Sequence, residues 1–270
     1  MDNNNNNNFY ESEKWLEQQS MEQQGLSRRT RRSDDLERET LGGAGLGRYT
    51  ARTFLNMFFG LLVSFGVAFF LAYTWPGFYL IYNLVNVTGG YLHIILLVAQ
   101  LALAFGLTSA VQKSTVGVTW LFFLGYCAMM GFVVGTWLLI YRLESVVFAF
   151  VMTALYFGGM AVFGFVTGID LSRMRNILLT GLIFLIIANI AMWFIPVVGV
   201  AEQVICSIGV VLFLAYTAYD TQMIKRFYAS FQNDEEMLKK ASIYAAIQLC
   251  LDFVNMFLYI LRLMGRRSRS

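Results

Sequence analysis

The chain has 270 residues, of which 57% are hydrophobic and only 14% are charged, whereas soluble domains carry about 25% charged residues. Several continuous apolar runs reach the roughly 20 residues that a helix needs to cross a bilayer. The composition therefore excludes an ordinary soluble domain and predicts an all-α polytopic membrane protein, and the lack of alternation argues against a transmembrane barrel. The net charge of +3 says little about partners, because the basic residues are concentrated towards the two ends, and no nucleic-acid partner is expected. Three cysteines lie inside apolar runs and are expected to be buried side chains rather than disulfides or metal ligands.

The first fifty residues differ in character from the rest. An asparagine run at residues 3–8 is followed by glutamine, glutamate and then a cluster of arginines, a composition typical of disorder. We expect a disordered cytoplasmic arm over residues 1–50, a seven-helix transmembrane domain over residues 51–265 and a basic tail over residues 266–270. The arginines suffice to keep the N-terminus in the cytoplasm, and binding of anionic lipid headgroups is their alternative role.

Six apolar spans precede the last one. The first ends at Pro76 and Gly77, and an uncharged segment closed by Gly89 and Gly90 follows it. Inner loops carry most of the lysines and arginines, while an outer loop carries Arg142, so the charge bias predicts a cytoplasmic N-terminus. The expected boundaries are about residues 53–73, 91–110, 116–141, 146–168, 177–195 and 204–219.

The last apolar segment, residues 241–264, contains a row of polar residues. They are spaced four, four, three and four apart, so on an α-helix they share one face. Asp252 lies near the middle, where a carboxylate costs roughly 2.5–3.5 kcal/mol on insertion scales, so this face must meet protein or a water-filled cavity. Two topologies are open, a full crossing or a segment that dips in and returns. Asn233 is expected to cap the helix. The row consists of Tyr244, Gln248, Asp252, Asn255 and Tyr259.

Two intramembrane acids, Asp220 and Asp252, belong to consecutive spans joined by a short loop, so contact between them is sterically easy. Two carboxylates in a low-dielectric site cannot both ionise cheaply, so we expect them to share one proton and to titrate as a unit. The doubly charged pair would repel and attract a cation, for which Ca²⁺ is a natural candidate because it takes carboxylate and carbonyl oxygens. Tyr216, Gln248 and Asn255 lie one turn from the acids and are candidate supporting residues. In the alternative interpretation, Asp220 is a border residue in water and Asp252 a packing hydrogen bonder.

Two C-terminal stretches carry a family resemblance. Residues 218–225 read Ala-Tyr-Asp-Thr-Gln-Met-Ile-Lys, residues 251–262 read Leu-Asp-Phe-Val-Asn-Met-Phe-Leu-Tyr-Ile-Leu-Arg, and residues 122–126 read Phe-Phe-Leu-Gly-Tyr. Together they resemble the transmembrane Bax inhibitor motif family. The resemblance implies a seven-helix bundle in which the other six helices surround a central last helix. It also implies a pH-sensitive calcium leak in which Asp220 and Asp252 form a proton-sharing latch.

The chain departs from the family pattern at two places. Cys250 stands where the family usually has a tyrosine before Leu-Asp-Phe, which is expected to alter pore packing but keeps the acid. Some members have a basic residue near the inner end of helix 2 that pairs with the acids. The nearest equivalent here is Lys113, which is carried over as a candidate supporting residue.

The leading functional hypothesis is a pH-sensitive, calcium-permeable leak channel or transporter, with Asp220 and Asp252 as gating and cation-binding residues. It needs no resident cofactor, because Ca²⁺ is the permeant ion. A non-conducting regulator that binds other membrane proteins is the main alternative. An intramembrane aspartyl protease is disfavoured because Asp252 lacks the glycine context of such enzymes. Nucleophile-elbow and zinc motifs are absent from the sequence, so no enzymatic activity is expected. The expected location is a bacterial inner membrane, or an internal membrane in a eukaryote.

Overall fold

The computed structural model describes residues 43–89, 91–194 and 199–264. The regular elements of these residues are helical, with one short 3₁₀ turn at Leu171–Met174. The predicted tail and most of the predicted arm lie outside the described residues. The helices are α1 (Gly43–Tyr73), α2 (Trp75–Thr88), α3 (Leu92–Lys113), α4 (Val116–Leu138), α5 (Leu143–Val166), α6 (Arg175–Phe194), α7 (Val200–Phe231) and α8 (Glu235–Met264).

The chain divides into two units, residues 1–48 and residues 49–270. The first unit is described only over residues 43–48, which form the first turns of α1. The second unit contains the rest of α1 and all the later helices.

Seven of the described helices, α1 and α3 to α8, are long and apolar enough to cross a membrane. This confirms the predicted seven-span architecture. The largest difference from the predicted boundaries is in α7, which has 32 residues and is about 48 Å long at 1.5 Å per residue. Its polar C-terminal turns were expected to lie outside the span. They stay helical because the backbone hydrogen bonds of a helix are internal, whatever the polarity of its side chains.

Helix α2 was not predicted, because Pro76 and Gly77 were interpreted only as the end of the first span. Thr74 begins this helix, since its Oγ1 accepts a hydrogen bond from the Gly77 nitrogen at 3.3 Å. Pro76 occupies the first turn, where its missing N–H costs nothing and its fixed φ suits a helix. Gly89, at φ +60°, ends the helix and donates its N–H to the Val85 carbonyl. The same proline therefore ends one helix and starts another.

Helix α8 is the most enclosed of the seven spans. Of an apolar stretch of 18 residues in this helix, 72% are buried, whereas the share in the corresponding stretches of the other spans is 11–33%. It packs on α3, α4, α5 and α7, and side-chain hydrogen bonds join it to α1 and α6. Contact with all six other spans is compatible with the predicted central position of the last helix.

The N-terminal cap of α8 is one residue later than predicted. The Oδ1 atom of Asp234, rather than a side-chain atom of Asn233, accepts the hydrogen bond from the Met237 nitrogen at 2.9 Å. This places the cap three residues before the donor, which is the usual capping distance. Glu235 and Glu236 follow in the first turn, where negative charge is favoured by the helix dipole.

The three cysteines, Cys127, Cys206 and Cys250, are free and buried, as their apolar surroundings predicted. Cys250 joins α8 to two other spans. Its sulfur is 3.3 Å from the Met57 carbonyl on α1, and it lies beside the Cys127 sulfur of α4 where both face Gly60 of α1. The departure from the family pattern at this position therefore concerns the packing of α8 against α1 and α4.

Candidate functional site

The structure brings the two intramembrane carboxyl groups together. Helices α7 and α8 have the most extensive packing among the described helix pairs, and residues 232–234 connect them. Asp220 on α7 is 6% exposed and Asp252 on α8 is 3% exposed, and their side chains hydrogen-bond to each other. Two carboxyl groups can share a hydrogen bond only if one of them carries a proton. The geometry is therefore that expected of two carboxyl groups that share one proton.

Part of this carboxyl pair has no other hydrogen-bond partner. The Oδ1 atom of Asp220, the Oδ2 atom of Asp252 and the nearby Thr221 hydroxyl are buried without one in the described part of the chain. None of the salt bridges among the described residues includes either aspartate. A doubly ionised pair here would be two adjacent, unneutralised buried charges, which is strongly unfavourable. The described surroundings therefore favour a protonated pair over a doubly ionised one.

The candidate supporting residues lie at different distances from this pair. Tyr216 is close enough to interact electrostatically with both carboxyl groups. Gln248 and Asn255 are half-buried and lie one turn before and one turn after Asp252 on the same face of α8. Lys113 is exposed at the C-terminal end of α3.

The two ends of the polar row on α8 are attached to other spans. The Tyr244 ring lies 6.1 Å, centre to centre, from the Phe227 ring on α7. The Tyr259 hydroxyl accepts a hydrogen bond from Asn189 on α6 at 2.7 Å. The row was predicted to face protein or water, and its ends contact protein.

A buried polar cluster that the sequence analysis missed continues this row towards the C-terminus. Arg262 donates to the Asn189 side-chain oxygen at 3.0 Å and to Glu202 on α7 at 3.4 Å. The arginine and glutamate side chains are only 10% and 20% exposed. The guanidinium also lies 5.6 Å from the ring centre of Trp137 on α4, within cation–π range. The spacing of the polar row could have indicated Arg262, because this residue follows Tyr259 by three positions and so lies on the same face of the helix.

A second missed cluster ties the connection between α5 and α6 to α7. Gln222 accepts a hydrogen bond from the Leu171 nitrogen at 2.9 Å and donates to the Ile169 carbonyl at 2.7 Å. Lys225 donates to the Phe165 carbonyl, and Arg226 pairs with Asp170. The polar residues of the 218–225 stretch therefore include a clamp on this connection as well as the aspartate.

Asp170 itself accepts hydrogen bonds from the hydroxyl and the backbone nitrogen of Ser172, at 2.7 Å and 3.0 Å. These bonds, with a smaller contribution from Arg226, hold the pKa of Asp170 below its ordinary value. Since each bond favours the ionised form, these contacts stabilise Asp170 as a carboxylate.

The sequence matches known proteins over nearly the whole described region. The family model described as "Inhibitor of apoptosis-promoting Bax1" matches residues 46–269. The inner membrane protein YbhL of Escherichia coli K12 is 35% identical over 226 residues, which are 83% of this chain and 94% of that protein. An uncharacterized protein of Deinococcus radiodurans is 34% identical over 220 residues, 82% of this chain and 91% of that protein. The chain therefore belongs to the Bax1-inhibitor family, as an integral membrane protein with seven apolar helices.

Proposed function

We propose that this protein is a pH-sensitive, calcium-permeable leak in which the Asp220–Asp252 pair is the gate. The observation that carries the proposal is the hydrogen bond between two buried carboxyl groups on different spans. A proton held between them joins α7 to α8. Loss of that proton leaves two like charges in a low-dielectric site, where their repulsion is strong, so the contact loosens and the site attracts a cation.

The donor set suits Ca²⁺ as a transported ion. Carboxylate and amide oxygens are the ligands that this hard cation prefers. Asp220 and Asp252 offer carboxylate oxygens, and Gln248 and Asn255 carry amide oxygens one turn away on α8. Ca²⁺ takes six to eight oxygen ligands when it is held tightly, and the described residues contain no cluster of three or more His, Cys, Asp or Glu side chains. An incomplete ligand set favours transit, because a permeant ion must also leave its site.

The proposed orientation places the N-terminus in the cytoplasm. Four basic residues lie where α7 ends and α8 begins: Lys225, Arg226, Lys239 and Lys240. In the proposed orientation this end of the two helices faces the cytoplasm. Arg142 lies between α4 and α5, on the opposite side. Positive charge concentrates on cytoplasmic loops, which supports this orientation.

We do not assign enzymatic activity to the protein. A buried pair of carboxyl groups that shares a proton occurs in aspartyl proteases as well, so the pair alone does not separate a latch from a protease. The protease is disfavoured because Asp252 lacks the glycine context of such enzymes. The non-conducting regulator is retained as the alternative that the flux experiment separates from the leak.

The test is calcium flux into liposomes that contain the purified protein, measured from pH 5 to pH 8. The unsubstituted protein is expected to show flux that changes with pH. Asp220→Asn and Asp252→Asn should each shift the midpoint, because the remaining carboxyl loses its ionisable neighbour, and the double variant should abolish the pH dependence. Glu144→Gln, which removes an exposed acid at the start of α5, is the matched control and should leave the profile unchanged.

Two results would overturn this assignment. Flux equal to that of empty vesicles would remove the leak and favour the non-conducting regulator. A pH profile that the double variant leaves intact would show that another group controls conduction.

A further inference from the structure

Helix α2 presents an unusual surface for a helix in this bundle. It has 14 residues and no charged side chain. Only Gly77 and Ile81, one turn apart, are buried, and most of the remaining surface is exposed. The exposed large hydrophobic residues of α2 are Trp75, Phe78, Tyr79, Leu80, Tyr82, Val85 and Val87.

The length of α2 excludes a crossing of the membrane. Fourteen residues span about 21 Å, whereas the hydrocarbon core is about 30 Å thick. Helices α1 and α3 on either side of it are both long enough to cross, so α2 begins and ends on the same side of the bilayer. A break at Thr74, which caps α2, separates it from α1. Gly77 in the first turns of α2 lies against the end of α1, where a Cβ atom would be 2.3 Å from the Phe70 carbonyl oxygen, so only glycine fits this contact.

The exposed residues of α2 differ in kind from those of a lipid-facing span. Three of the seven exposed large hydrophobic residues of α2 are tryptophan or tyrosine, whereas on α1 only one of seven is, Tyr73 at its last position. Among the side chains that the structure describes on α6, none of the seven is tryptophan or tyrosine, and the set is Ile177, Leu179, Ile183, Phe184, Ile186, Ile187 and Ile190. Tryptophan and tyrosine concentrate at the boundary between headgroups and acyl chains, whereas isoleucine and leucine suit the hydrocarbon core. The composition of α2 is therefore that of an interface.

The surface of α2 also continues the exposed apolar surface of α1, a helix long and apolar enough to cross the membrane. The last turns of α1 expose Phe69, Phe70 and Tyr73, and Trp75 follows directly. An uncovered apolar surface of this size in water would be strongly unfavourable. A bilayer that surrounds α1 up to Tyr73 covers the adjoining face of α2 without any additional partner.

We propose that α2 lies in the plane of the membrane interface and inserts its aromatic face at the headgroup–acyl boundary of one leaflet. In the proposed orientation this is the outer leaflet. Because α2 carries no charge, its insertion depends on apolar area and not on anionic headgroups. This distinguishes it from basic amphipathic helices, whose binding follows the anionic lipid content. The inference is independent of the proposed gate.

The depth of a nitroxide spin label tests this placement. The three native cysteines are each 0% exposed, so a cysteine introduced at the surface can be labelled selectively in the otherwise unsubstituted protein. The label is placed at Tyr79→Cys on α2, at Ile187→Cys on α6 as the hydrocarbon control, and at Glu144→Cys as the aqueous control. Depth is measured from relaxation by oxygen and by a nickel chelate, in phosphatidylcholine vesicles with and without phosphatidylglycerol.

The label at position 79 is expected about 5–10 Å below the headgroup level, between the two controls, and at the same depth in both lipids. Nickel accessibility equal to that at position 144 would place the helix in water. A depth equal to that at position 187 would place it in the hydrocarbon core. Low accessibility to both reagents would mean that protein, including a second copy of this chain, covers the face. Each of these three results would overturn the proposal.

Discussion

The close approach of α5 to α7 beside the carboxyl pair can be tested by adding one methyl group. Gly164 on α5 contacts the backbone of α7 at Ala218, two residues before Asp220. A Cβ atom at position 164 would lie 2.2 Å from the Ala218 carbonyl oxygen and 2.7 Å from its Cα atom. Both are backbone atoms, so no side-chain rotation relieves the overlap. The two helices would have to separate by about 1.2 Å to restore ordinary van der Waals contact.

Gly158→Ala is the matched control, because it lies on the same helix and its new methyl group would meet nothing within 4 Å. Both substitutions change helix propensity in the same way, so their difference isolates the packing. Forced overpacking costs about 1–3 kcal/mol. We therefore expect Gly164→Ala to lower the free energy of unfolding by about 1–3 kcal/mol relative to Gly158→Ala.

The assay is unfolding by sodium dodecyl sulfate in mixed micelles, followed by far-ultraviolet circular dichroism. Calcium flux against pH is the second measurement, because displacement of α7 moves Asp220 relative to Asp252. Equal unfolding free energies for the two variants would show that α5 and α7 are not in close contact at this position.

Two further predictions concern the polar contacts around the pair. Tyr259→Phe removes the hydrogen bond from Asn189, and unfolding free energy should fall by about 0.6 kcal/mol, a typical value for such bonds between spans. The loss is small because Asn189 still donates to the Leu185 carbonyl, and a fall of several kcal/mol would contradict this. Asp170→Asn should lower the thermal unfolding temperature near pH 7. Because the pKa of Asp170 is lowered in the folded protein, its contribution is present above its unfolded pKa of about 4 and is lost as pH falls through the folded value. The difference from the unsubstituted protein should therefore shrink in acid, and a pH-independent difference would refute the charged clamp.

The sequence could not predict which residues of other helices contact the polar row of α8. Arg262 was readable as a sixth member of the polar row on α8, but Asn189 and Glu202 lie on two other helices that are distant along the chain. Hydropathy and spacing describe one helix at a time. Which faces meet depends on the packing of several helices, which is a property of the whole bundle.

The start of α2 and the capping residue of α8 were predicted wrongly because the residues at each of these helix ends are compatible with more than one boundary. Pro76 ends one helix and starts another, and the choice depends on whether Thr74 can cap the new helix. Asn233 and Asp234 are both good caps, and only the actual path of the chain decides which side chain reaches the Met237 nitrogen.

The sequence by itself determined the seven apolar spans, the two acids within the last two of them and the polar face of α8. It could do so because burial in lipid requires long apolar runs and makes every polar residue within them conspicuous. Only the tertiary structure decided that Asp220 and Asp252 bond to each other, that Arg262 reaches Glu202, and that α2 forms a separate short helix. These features depend on distances between segments and on the turns between helices, which no one-dimensional pattern contains.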